Sequence, residues 1–437
     1  MNDTVFALSS APGRAGVAVI RVSGPDAGSC LRDLTGRALP SPRLASLRDL
    51  RDAEGAKIDQ ALVLWFSAPA SFSGEDMAEI HVHGGRAVVA KVLAALGGYA
   101  GCRPAEPGEF TRRAVENGKL DLTQAEALID LIDAETEEQR SQALRQYGGA
   151  LASLYEGWRS RLIKALAWVE AEIDFSDEEI PHDLTVRSRA EIGKIIKEIQ
   201  IHMVDSRRGE IVREGVFLTV IGPPNAGKSS LINALAKRDV AIVAETEGTT
   251  RDIIEVRLDL GGYAVIVADT AGLREAADTV ESEGVRRALA RAEASDLVLL
   301  LLDGSAEEPL AGLPPGIAER AAITVWNKAD LPSPSPRSGL RLSLKTGDGF
   351  DDVLAEIGRK VAERLDRRGD APVLTRARHR HALEQALAAL CRAASAAEAE
   401  LFAEDLRLAV RWIGRITGRV DVEELLDVVF RDFCIGK

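Results

Sequence analysis

The chain has 437 residues, of which 46% are hydrophobic, and its 55 basic and 68 acidic side chains give a net charge of −13. This length exceeds what one compact core usually holds, so the sequence predicts two to four domains. The acidic balance argues against indiscriminate binding of nucleic acid, although it allows a local basic site.

Cysteine usage and hydropathy indicate the compartment. The sequence contains four cysteines, Cys30, Cys102, Cys391 and Cys434. They lie far apart without C-x-x-C spacing, which excludes a small disulfide scaffold and argues against a structural zinc cluster. The longest aliphatic run, Leu297 to Leu302, is too short to cross a bilayer, and no basic leader followed by an apolar stretch opens the sequence. We therefore expect a cytoplasmic protein without a membrane span.

Residues 1–120 show a mixed pattern of strands and helices. Short apolar segments such as Val17 to Val22 and Ala61 to Phe66 alternate with Gly and Pro clusters. This alternation predicts an N-terminal α+β domain.

After Leu122 the sequence becomes rich in Ala and Leu with helical periodicity. Thr123 and Glu126 have the spacing of a capping box, and the periodic run continues to about Phe175. A second helical stretch extends from Leu184 to about Val212. These features predict the first part of a helical domain over residues 121–212.

An α/β unit interrupts the helices. Val216 to Ile221 is a β-rich run, and later apolar strands such as Leu297 to Leu302 alternate with helical segments, as in a parallel sheet with crossover helices. We predict an inserted domain with a largely parallel sheet over residues 213–366. Residues 367–437 return to the helical pattern, so we expect them to pack with residues 121–212 as one discontinuous domain.

A phosphate loop follows the first strand of the inserted domain. Residues 222–229 read Gly-Pro-Pro-Asn-Ala-Gly-Lys-Ser, a complete G-x4-G-K-S motif between a predicted strand and a predicted helix. Its glycines let backbone N–H groups converge on phosphate oxygens. Lys228 places a cation on the β and γ phosphates, and Ser229 offers a hydroxyl to Mg²⁺.

Three further motifs point to the nucleotide. Residues 269–272 (Asp-Thr-Ala-Gly) follow an apolar strand, where a carboxylate holds Mg²⁺ through water and a glycine N–H contacts the γ phosphate. Residues 327–330 (Asn-Lys-Ala-Asp) follow another strand. The Asp330 carboxylate can accept hydrogen bonds from N1–H and the 2-amino group of guanine, which adenine does not offer, so the base should be guanine. Residues 343–345 (Ser-Leu-Lys) would support it through backbone donors.

Residues 248–252 (Gly-Thr-Thr-Arg-Asp) have the character of a switch segment, with Thr250 as a Mg²⁺ hydroxyl that depends on the γ phosphate. These motifs together resemble the translation-factor-related class of GTP-binding proteins. Leu273 stands where many such proteins carry the glutamine that orients the attacking water. Asn225 and the segment from Ala244 to Thr249 are candidates for a monovalent-cation site that replaces an arginine finger.

Motifs from both ends of the chain occur in an order typical of one family. They are residues 11–17 (Ala-Pro-Gly-Arg-Ala-Gly-Val), 21–24 (Arg-Val-Ser-Gly), 71–76 (Ser-Phe-Ser-Gly-Glu-Asp), 83–85 (His-Gly-Gly), 107–111 (Pro-Gly-Glu-Phe-Thr), 119–127 (Lys-Leu-Asp-Leu-Thr-Gln-Ala-Glu-Ala) and 433–437 (Phe-Cys-Ile-Gly-Lys). With these motifs the whole chain resembles the tRNA modification GTPases MnmE, also called TrmE.

The resemblance implies an architecture and an activity. It implies a folate-binding N-terminal domain that forms a homodimer, a helical domain built from two segments, and a P-loop GTPase domain inserted between them. It also implies a potassium-activated GTP hydrolase that forms a heterotetramer with an FAD-containing partner of the MnmG family. Together they would add an aminomethyl or carboxymethylaminomethyl group at C5 of the wobble uridine of certain tRNAs.

The resemblance also implies roles for individual residues. Mg²⁺ would be bound by Ser229 and Thr250, and K⁺ would be bound by Asn225, Ala244, Thr246 and Thr249. Catalytic roles fall to Glu281, Lys228 and Thr250, and Glu281 would position the hydrolytic water through a bridging water. The predicted GTP-binding residues are Asn225, Ala226, Gly227, Lys228, Ser229, Ser230, Ala244, Thr246, Gly248, Thr249, Thr250, Asp269, Thr270, Ala271, Gly272, Asn327, Lys328, Asp330, Ser343, Leu344 and Lys345.

Folate is the second ligand that the resemblance implies. Its expected binding residues are Arg21, Glu79, Lys119 and Lys437, for a tetrahydrofolate derivative of the 5-formyl or 5,10-methylene type. A pterin edge suits a carboxylate, and the glutamate tail suits lysine and arginine. Cys434 is a candidate thiol in the modification, although a lone cysteine is usually a small buried hydrophobe.

Two other functions stay open at this point. A regulatory GTP-dependent binding protein, such as a ribosome-assembly factor, would use hydrolysis only to time release, and folate binding would discriminate it from the enzyme. A folate-dependent methyltransferase with an auxiliary GTPase would act without the FAD partner. Candidate tRNA contacts are Arg376, Arg378, Arg380, Arg407, Arg411 and Arg415, although such charge stripes are more often a solvated helix face.

Overall fold

The computed structural model describes residues 3–174, 184–204, 206–238, 240–242, 255–268, 293–313, 316–365, 372–420, 426, 429–430, 433 and 435–436. The chain forms two compact units. The first comprises Met1–Ile129, Gln146–Ile196 and Ala382–Lys437, and the second comprises Asp130–Arg145 and Lys197–His381.

A six-stranded sheet is the centre of the N-terminal part of the first unit. Its strands are β1 (Thr4–Leu8), β2 (Ala15–Ser23), β3 (Ser46–Arg51), β4 (Lys57–Phe66), β5 (Met77–Gly84) and β6 (Cys102–Pro104). They lie in the order β3-β4-β5-β2-β1-β6, and all neighbours are antiparallel except β1 and β6. The mixed α+β domain predicted from the sequence is confirmed.

The two faces of this sheet have different coverings. Side chains alternate between the faces, and one set, including Ile20, Ile80 and Val63, forms an apolar core with helices α1 (Ala27–Thr35) and α2 (Arg86–Gly97). On the opposite face a smaller cluster packs around Phe110 of α3 (Glu109–Glu116). The second face therefore keeps polar side chains of β2 and β5 partly accessible.

Helices follow in two segments of the chain. They are α4 (Leu122–Ile132), α5 (Glu137–Tyr147), α6 (Ala150–Asp174), α7 (Leu184–Val204) and α8 (Ser206–Glu214), and later α11 (Ala377–Ser395) and α12 (Ala399–Thr417). In the first unit α6 packs along α12, although more than 200 residues separate them in the chain. This packing confirms that helices on both sides of the insertion share one unit.

The start of α4 differs from the predicted capping box. The Asp121 carboxylate accepts hydrogen bonds from the backbone N–H groups of Thr123 (2.8 Å) and Gln124 (3.1 Å). The Gln124 amide oxygen in turn accepts the Asp121 N–H at 3.1 Å. The capping box is therefore Asp121 and Gln124, and the assignment to Thr123 and Glu126 is wrong, because the helix already begins at Leu122.

The second unit contains the predicted, largely parallel sheet. Its strands are β7 (Val216–Ile221), β8 (Glu255–Leu260), β9 (Tyr263–Ala268), β10 (Leu297–Asp303), β11 (Ile323–Asn327) and β12 (Leu340–Arg341). They lie in the order β12-β11-β10-β7-β9-β8, and only the β8–β9 pair is antiparallel. Helices α9 (Lys228–Leu235) and α10 (Phe350–Leu365) contribute buried side chains to the core around this sheet, and the predicted fold class is confirmed.

Candidate functional site

The phosphate loop lies between β7 and α9, at the carboxyl end of the parallel sheet. The loop residue Gly227 has φ +103°, and a Cβ there would collide with Nδ2 of Asn327, so only glycine fits without strain. The Lys228 ammonium donates to the carbonyl oxygens of Gly222 and Pro223, each at 2.8 Å. The lysine therefore lies over the loop, whose N–H groups and helix N-terminus favour an anion.

Asn327 joins the phosphate loop to the loop after β12. Its Nδ2 donates to the Ala226 carbonyl at 2.8 Å, and its Oδ1 accepts the Leu344 N–H at 3.3 Å. The residue is only 4% exposed. Because one side-chain amide bonds to both loops, it fixes the distance between the phosphate loop and the loop after β12, which carries predicted base-binding residues.

The predicted base-binding residues lie together at the end of β11. The Ser343 hydroxyl is fully buried and donates to an Asp330 carboxylate oxygen at 2.7 Å, which orients this exposed carboxylate. Exposed Lys345 follows Leu344 in the same loop. The structure thus brings Asn327, Asp330 and Ser343 into one site, as the motif spacing predicts.

Asp303 belongs to this site although the sequence analysis did not include it. It ends β10 and accepts a hydrogen bond from the Lys328 ammonium at 2.6 Å. Burial raises the pKa of the Asp303 carboxyl, but the hydrogen bonds from Lys328 and Ser305 lower it more, so the pKa lies below its ordinary value. Its position directly after a buried parallel strand was the available signal.

Several predicted nucleotide-site residues lie outside the described residues. They are Ala244, Thr246, Gly248, Thr249, Thr250, Asp269, Thr270, Ala271, Gly272 and Glu281. Of the residues predicted to bind the two cations, Ser229 and Asn225 lie in the described part of the site. Both side chains are exposed at the loop, with Ser230 exposed next to them, and both residues carry oxygen donors of the kind these hard cations prefer.

A second polar site lies on the more open face of the N-terminal sheet. Arg21 of β2 and Glu79 of β5 face each other in register, and the guanidinium donates twice to Glu79 Oε1, at 2.9 and 3.3 Å. The Arg21 guanidinium also stacks near the rings of Phe72 and Phe110, at 5.1 and 5.6 Å from their centroids. We call these four residues the N-terminal face.

The structure brings together only part of the predicted folate set. Lys119 is exposed, and its side-chain stem packs beside Gly74, 3.2 Å from the ideal Cβ position of that glycine. Among the described residues, no hydrogen bond or ion pair joins Lys119 to Arg21 or Glu79. Lys437 and Cys434 lie outside the described residues, although neighbouring Gly436 accepts a hydrogen bond from the Ser9 hydroxyl at 2.7 Å.

A buried ion network next to this face went unnoticed in the sequence. Arg113 is 1% exposed and donates to Glu109 (2.9 Å), Glu75 (3.1 Å) and Asp3 (3.0 Å). Arg103 reaches Glu109 from β6 with two hydrogen bonds, at 2.6 and 2.8 Å. We call these five residues the Arg113 network.

The network connects directly to the loop that carries Phe72. The Ser23 hydroxyl donates to Glu75 at 2.8 Å and lies 2.7 Å from the Ser73 hydroxyl. Burial raises the pKa of the Glu109 carboxyl, but Arg103, a backbone N–H and Arg113 lower it more, so Glu109 stays ionised. The charge of Glu109 is therefore paired, and Glu75 connects the network to the loop that carries Phe72.

Three of the candidate tRNA arginines are already held by carboxylates. In the second unit Arg376 pairs with Asp130 at 2.7 Å, and Arg380 pairs with Glu210. In the first unit Arg407 pairs with Glu170 at 2.9 Å. These pairs favour a structural role for the three arginines. Arg378, Arg411 and Arg415 also have interactions within the protein.

Among the described residues, no group of three or more His, Cys, Asp or Glu side chains has an arrangement that would hold a metal ion. None of the described helices has an apolar stretch that would span a bilayer.

Comparison with known proteins decides the family. The family model described as the MnmE helical domain matches residues 122–434, and the one described as the GTP-binding protein TrmE N-terminus matches residues 4–119. The tRNA modification GTPase MnmE of Parvibaculum lavamentivorans is 56% identical over 442 residues, covering 100% of each chain. The chain belongs to the MnmE family. As a member of this family it is a GTPase.

A second relative agrees with that membership. The tRNA modification GTPase MnmE of Paramagnetospirillum magneticum is 55% identical and also covers 100% of both chains. Among solved structures, the G domain of the FeoB iron transporter of T. maritima is 24% identical and covers 33% of this chain and 98% of its own, with a TM-score of 0.26. A score this low carries no weight in the assignment.

Proposed function

We propose that this MnmE family member is a potassium-activated GTPase that acts in tRNA modification. It hydrolyses GTP to GDP and phosphate. With an FAD-dependent partner it adds an aminomethyl or carboxymethylaminomethyl group at C5 of the wobble uridine of certain tRNAs, and a tetrahydrofolate supplies the one-carbon unit. The protein would act in the cytoplasm as a homodimer, and as a heterotetramer with the partner.

The observation that carries the GTPase part is the bridge made by Asn327. Its two hydrogen bonds, to Ala226 and from Leu344, hold the phosphate loop and the base loop at one spacing. Asp330, oriented by Ser343, offers carboxylate oxygens to a base with two adjacent donors, as in guanine. This arrangement supports GTP as the substrate.

Each residue of the nucleotide site has a separate task in this proposal. Backbone N–H groups of the phosphate loop bind the phosphates, and the Lys228 ammonium neutralises charge that develops on them in the transition state. Ser229 and Thr250 would hold Mg²⁺, which supplies charge stabilisation when bound. Asn225, Ala244, Thr246 and Thr249 would hold K⁺. Glu281 would orient the attacking water in place of the glutamine that Leu273 replaces.

The N-terminal face supports the folate part of the proposal. Both hydrogen bonds from Arg21 go to Oε1 of Glu79. The other oxygen, Oε2, lies 3.6 Å from His81 Nε2 and retains acceptor capacity for a pterin edge. Lys119 and Lys437 would meet the glutamate tail. The division into residues 1–120, 121–212, 213–366 and 367–437 remains part of this proposal.

The experiment is steady-state GTP turnover in potassium and sodium buffers at matched ionic strength, with Glu281→Ala beside the unmodified protein. We expect a large stimulation by potassium that Glu281→Ala abolishes, while Glu283→Ala, a carboxylate two residues away, retains it. Equal turnover in both salts would contradict the potassium site and favour a regulatory GTP-binding protein. Binding of 5-formyltetrahydrofolate, measured by calorimetry, separately tests the folate part.

A further inference from the structure

Two cysteines meet in the N-terminal part of the first unit. Cys30 of α1 and Cys102 of β6 are 72 residues apart in sequence, yet their sulfur atoms are 3.2 Å apart. Both are free thiols, and closing this gap to a covalent bond of about 2.05 Å needs a movement of only about 1 Å. We propose that Cys30 and Cys102 form an oxidisable dithiol that a peroxide converts to a disulfide.

The surroundings give the pair a route to solvent. Cys30 is 1% exposed, whereas Cys102 is partly exposed. Tyr99 packs in the same apolar cluster as both cysteines. A small oxidant can therefore reach Cys102 before it reaches Cys30.

The chemistry balances with one peroxide. The Cys102 thiolate attacks a peroxide oxygen, the O–O bond breaks, and the products are a sulfenic acid at Cys102 and one water. The Cys30 sulfur then attacks the Cys102 sulfur, the S–O bond breaks, and a second water leaves as the disulfide forms. Two thiols are oxidised and one peroxide is reduced.

Protonation limits the rate of the first step. Burial raises the pKa of the Cys102 thiol more than the nearby Cys30 thiol lowers it, and burial also raises the pKa of Cys30 and of Tyr99. The carboxylates of Asp26 and Asp33 add to this effect on Cys30. We therefore expect oxidation to accelerate about tenfold per pH unit between neutral and mildly alkaline pH, because the thiolate is the nucleophile.

Oxidation would tie the helix to an edge strand of the sheet. β6 has β1 as its described strand neighbour, and Arg103, the residue after Cys102, belongs to the Arg113 network. A Cys30–Cys102 disulfide would therefore fix the strand that supplies Arg103. We therefore expect the first unit to be more stable to unfolding in the oxidised protein than in the reduced protein.

The test uses the full chain carrying Cys391→Ser and Cys434→Ser, so that Cys30 and Cys102 are its only cysteines. After hydrogen peroxide, the protein is denatured, alkylated and weighed intact. We expect the loss of two hydrogens, no alkylation, and reversal by dithiothreitol. The unfolding temperature should also rise by several degrees on oxidation and return on reduction. The matched control, which adds Cys30→Ala, should give sulfenic or sulfinic acid at Cys102 instead.

Two results would overturn the inference. One is oxidation of Cys102 beyond sulfenic acid while Cys30 remains alkylated. The other is alkylation of both thiols at a peroxide dose that fully oxidises the exposed Cys391 of the unmodified chain. If the double-serine chain does not fold, peptide mapping of the oxidised unmodified chain reports the same Cys30–Cys102 linkage, or its absence.

Discussion

The nucleotide site and the N-terminal face hold their polar groups in different ways. In the nucleotide site, most contacts are made by backbone groups of loops that follow consecutive parallel strands, and one amide, Asn327, connects them. The N-terminal face lies beside the Arg113 network, in which side chains distant in sequence pair with one another. These are residues 3, 75, 103, 109 and 113.

This difference explains where each site is vulnerable. A site made of backbone groups loses ligand affinity when its spacing changes, while its fold persists. A site supported by a buried arginine loses stability when that arginine is removed, because the carboxylates around it lose one of their partners.

The largest effect is expected from Arg113→Met. Removal of this guanidinium leaves Glu75 without its arginine and Glu109 with Arg103 alone, which should destabilise the first unit by about 3 kcal/mol. The measurement is urea unfolding followed by circular dichroism. Arg112→Met removes a surface pair with Glu116 on the same helix and should cost less than about 0.5 kcal/mol. Equal losses for the two variants would contradict the buried network.

Asn327→Ala should weaken GTP binding and leave the fold intact. The loss of both bridging hydrogen bonds predicts an affinity about 10- to 100-fold lower. Titration with a fluorescent GTP analogue measures it. Ser333→Ala removes an exposed hydroxyl from the loop before β12 and serves as the control. An affinity within twofold of the unmodified protein would show that the two loops do not need the bridge.

Arg21→Met tests the N-terminal face without touching the nucleotide site. Loss of the guanidinium removes the partner of Glu79, and we expect 5-formyltetrahydrofolate to bind about tenfold more weakly. GTP turnover should stay unchanged. Arg86→Met, at the exposed start of α2, is the control and should bind as the unmodified protein does. Parallel loss of GTP turnover would contradict the separation of the two sites.

The smallest expected effect is a decrease in the stability of the first unit at acidic pH. The pKa of Glu109 is lower in the folded protein than in the unfolded chain, so the carboxylate stabilises the fold above the unfolded pKa of about 4.3. That stability is lost as pH falls through the folded pKa. The urea midpoint of the first unit should therefore decrease below about pH 4, and Glu109→Gln should flatten the decrease. An unchanged slope in that variant would assign the acid sensitivity to other groups.

The nucleotide site was predictable because its residues are adjacent in sequence. The loop from Gly222 to Ser229 and the residues from Asn327 to Asp330 each follow a buried strand, and a parallel sheet brings such strand ends to one edge. What the motifs did not predict is which groups contact one another. The bridge from Asn327 and the pairing of Lys328 with Asp303 depend on the register between neighbouring strands.

The N-terminal domain was harder to derive from the sequence. Its strand pattern predicted the sheet, and family resemblance singled out Arg21 and Glu79, which the structure places in register. The Arg113 network has no local signature, because its carboxylates lie up to 110 residues from Arg113. The same limit applies at the start of α4. Both Asp121 and Thr123 are residue types that cap helices, and in the structure the Asp121 carboxylate forms the cap.

The contact between Ser9 and Gly436 has a consequence for synthesis of the protein. These residues are 427 positions apart, and Gly436 lies against Leu8 so closely that a Cβ there would collide with the Leu8 carbonyl. At about 5–20 residues per second, the ribosome needs roughly 20 to 85 s to travel from one to the other. During that interval β1 and Ser9 have been made, but Gly436, which accepts the hydrogen bond from the Ser9 hydroxyl, has not. The N-terminal sheet therefore reaches its final packing only after the whole second unit has been made.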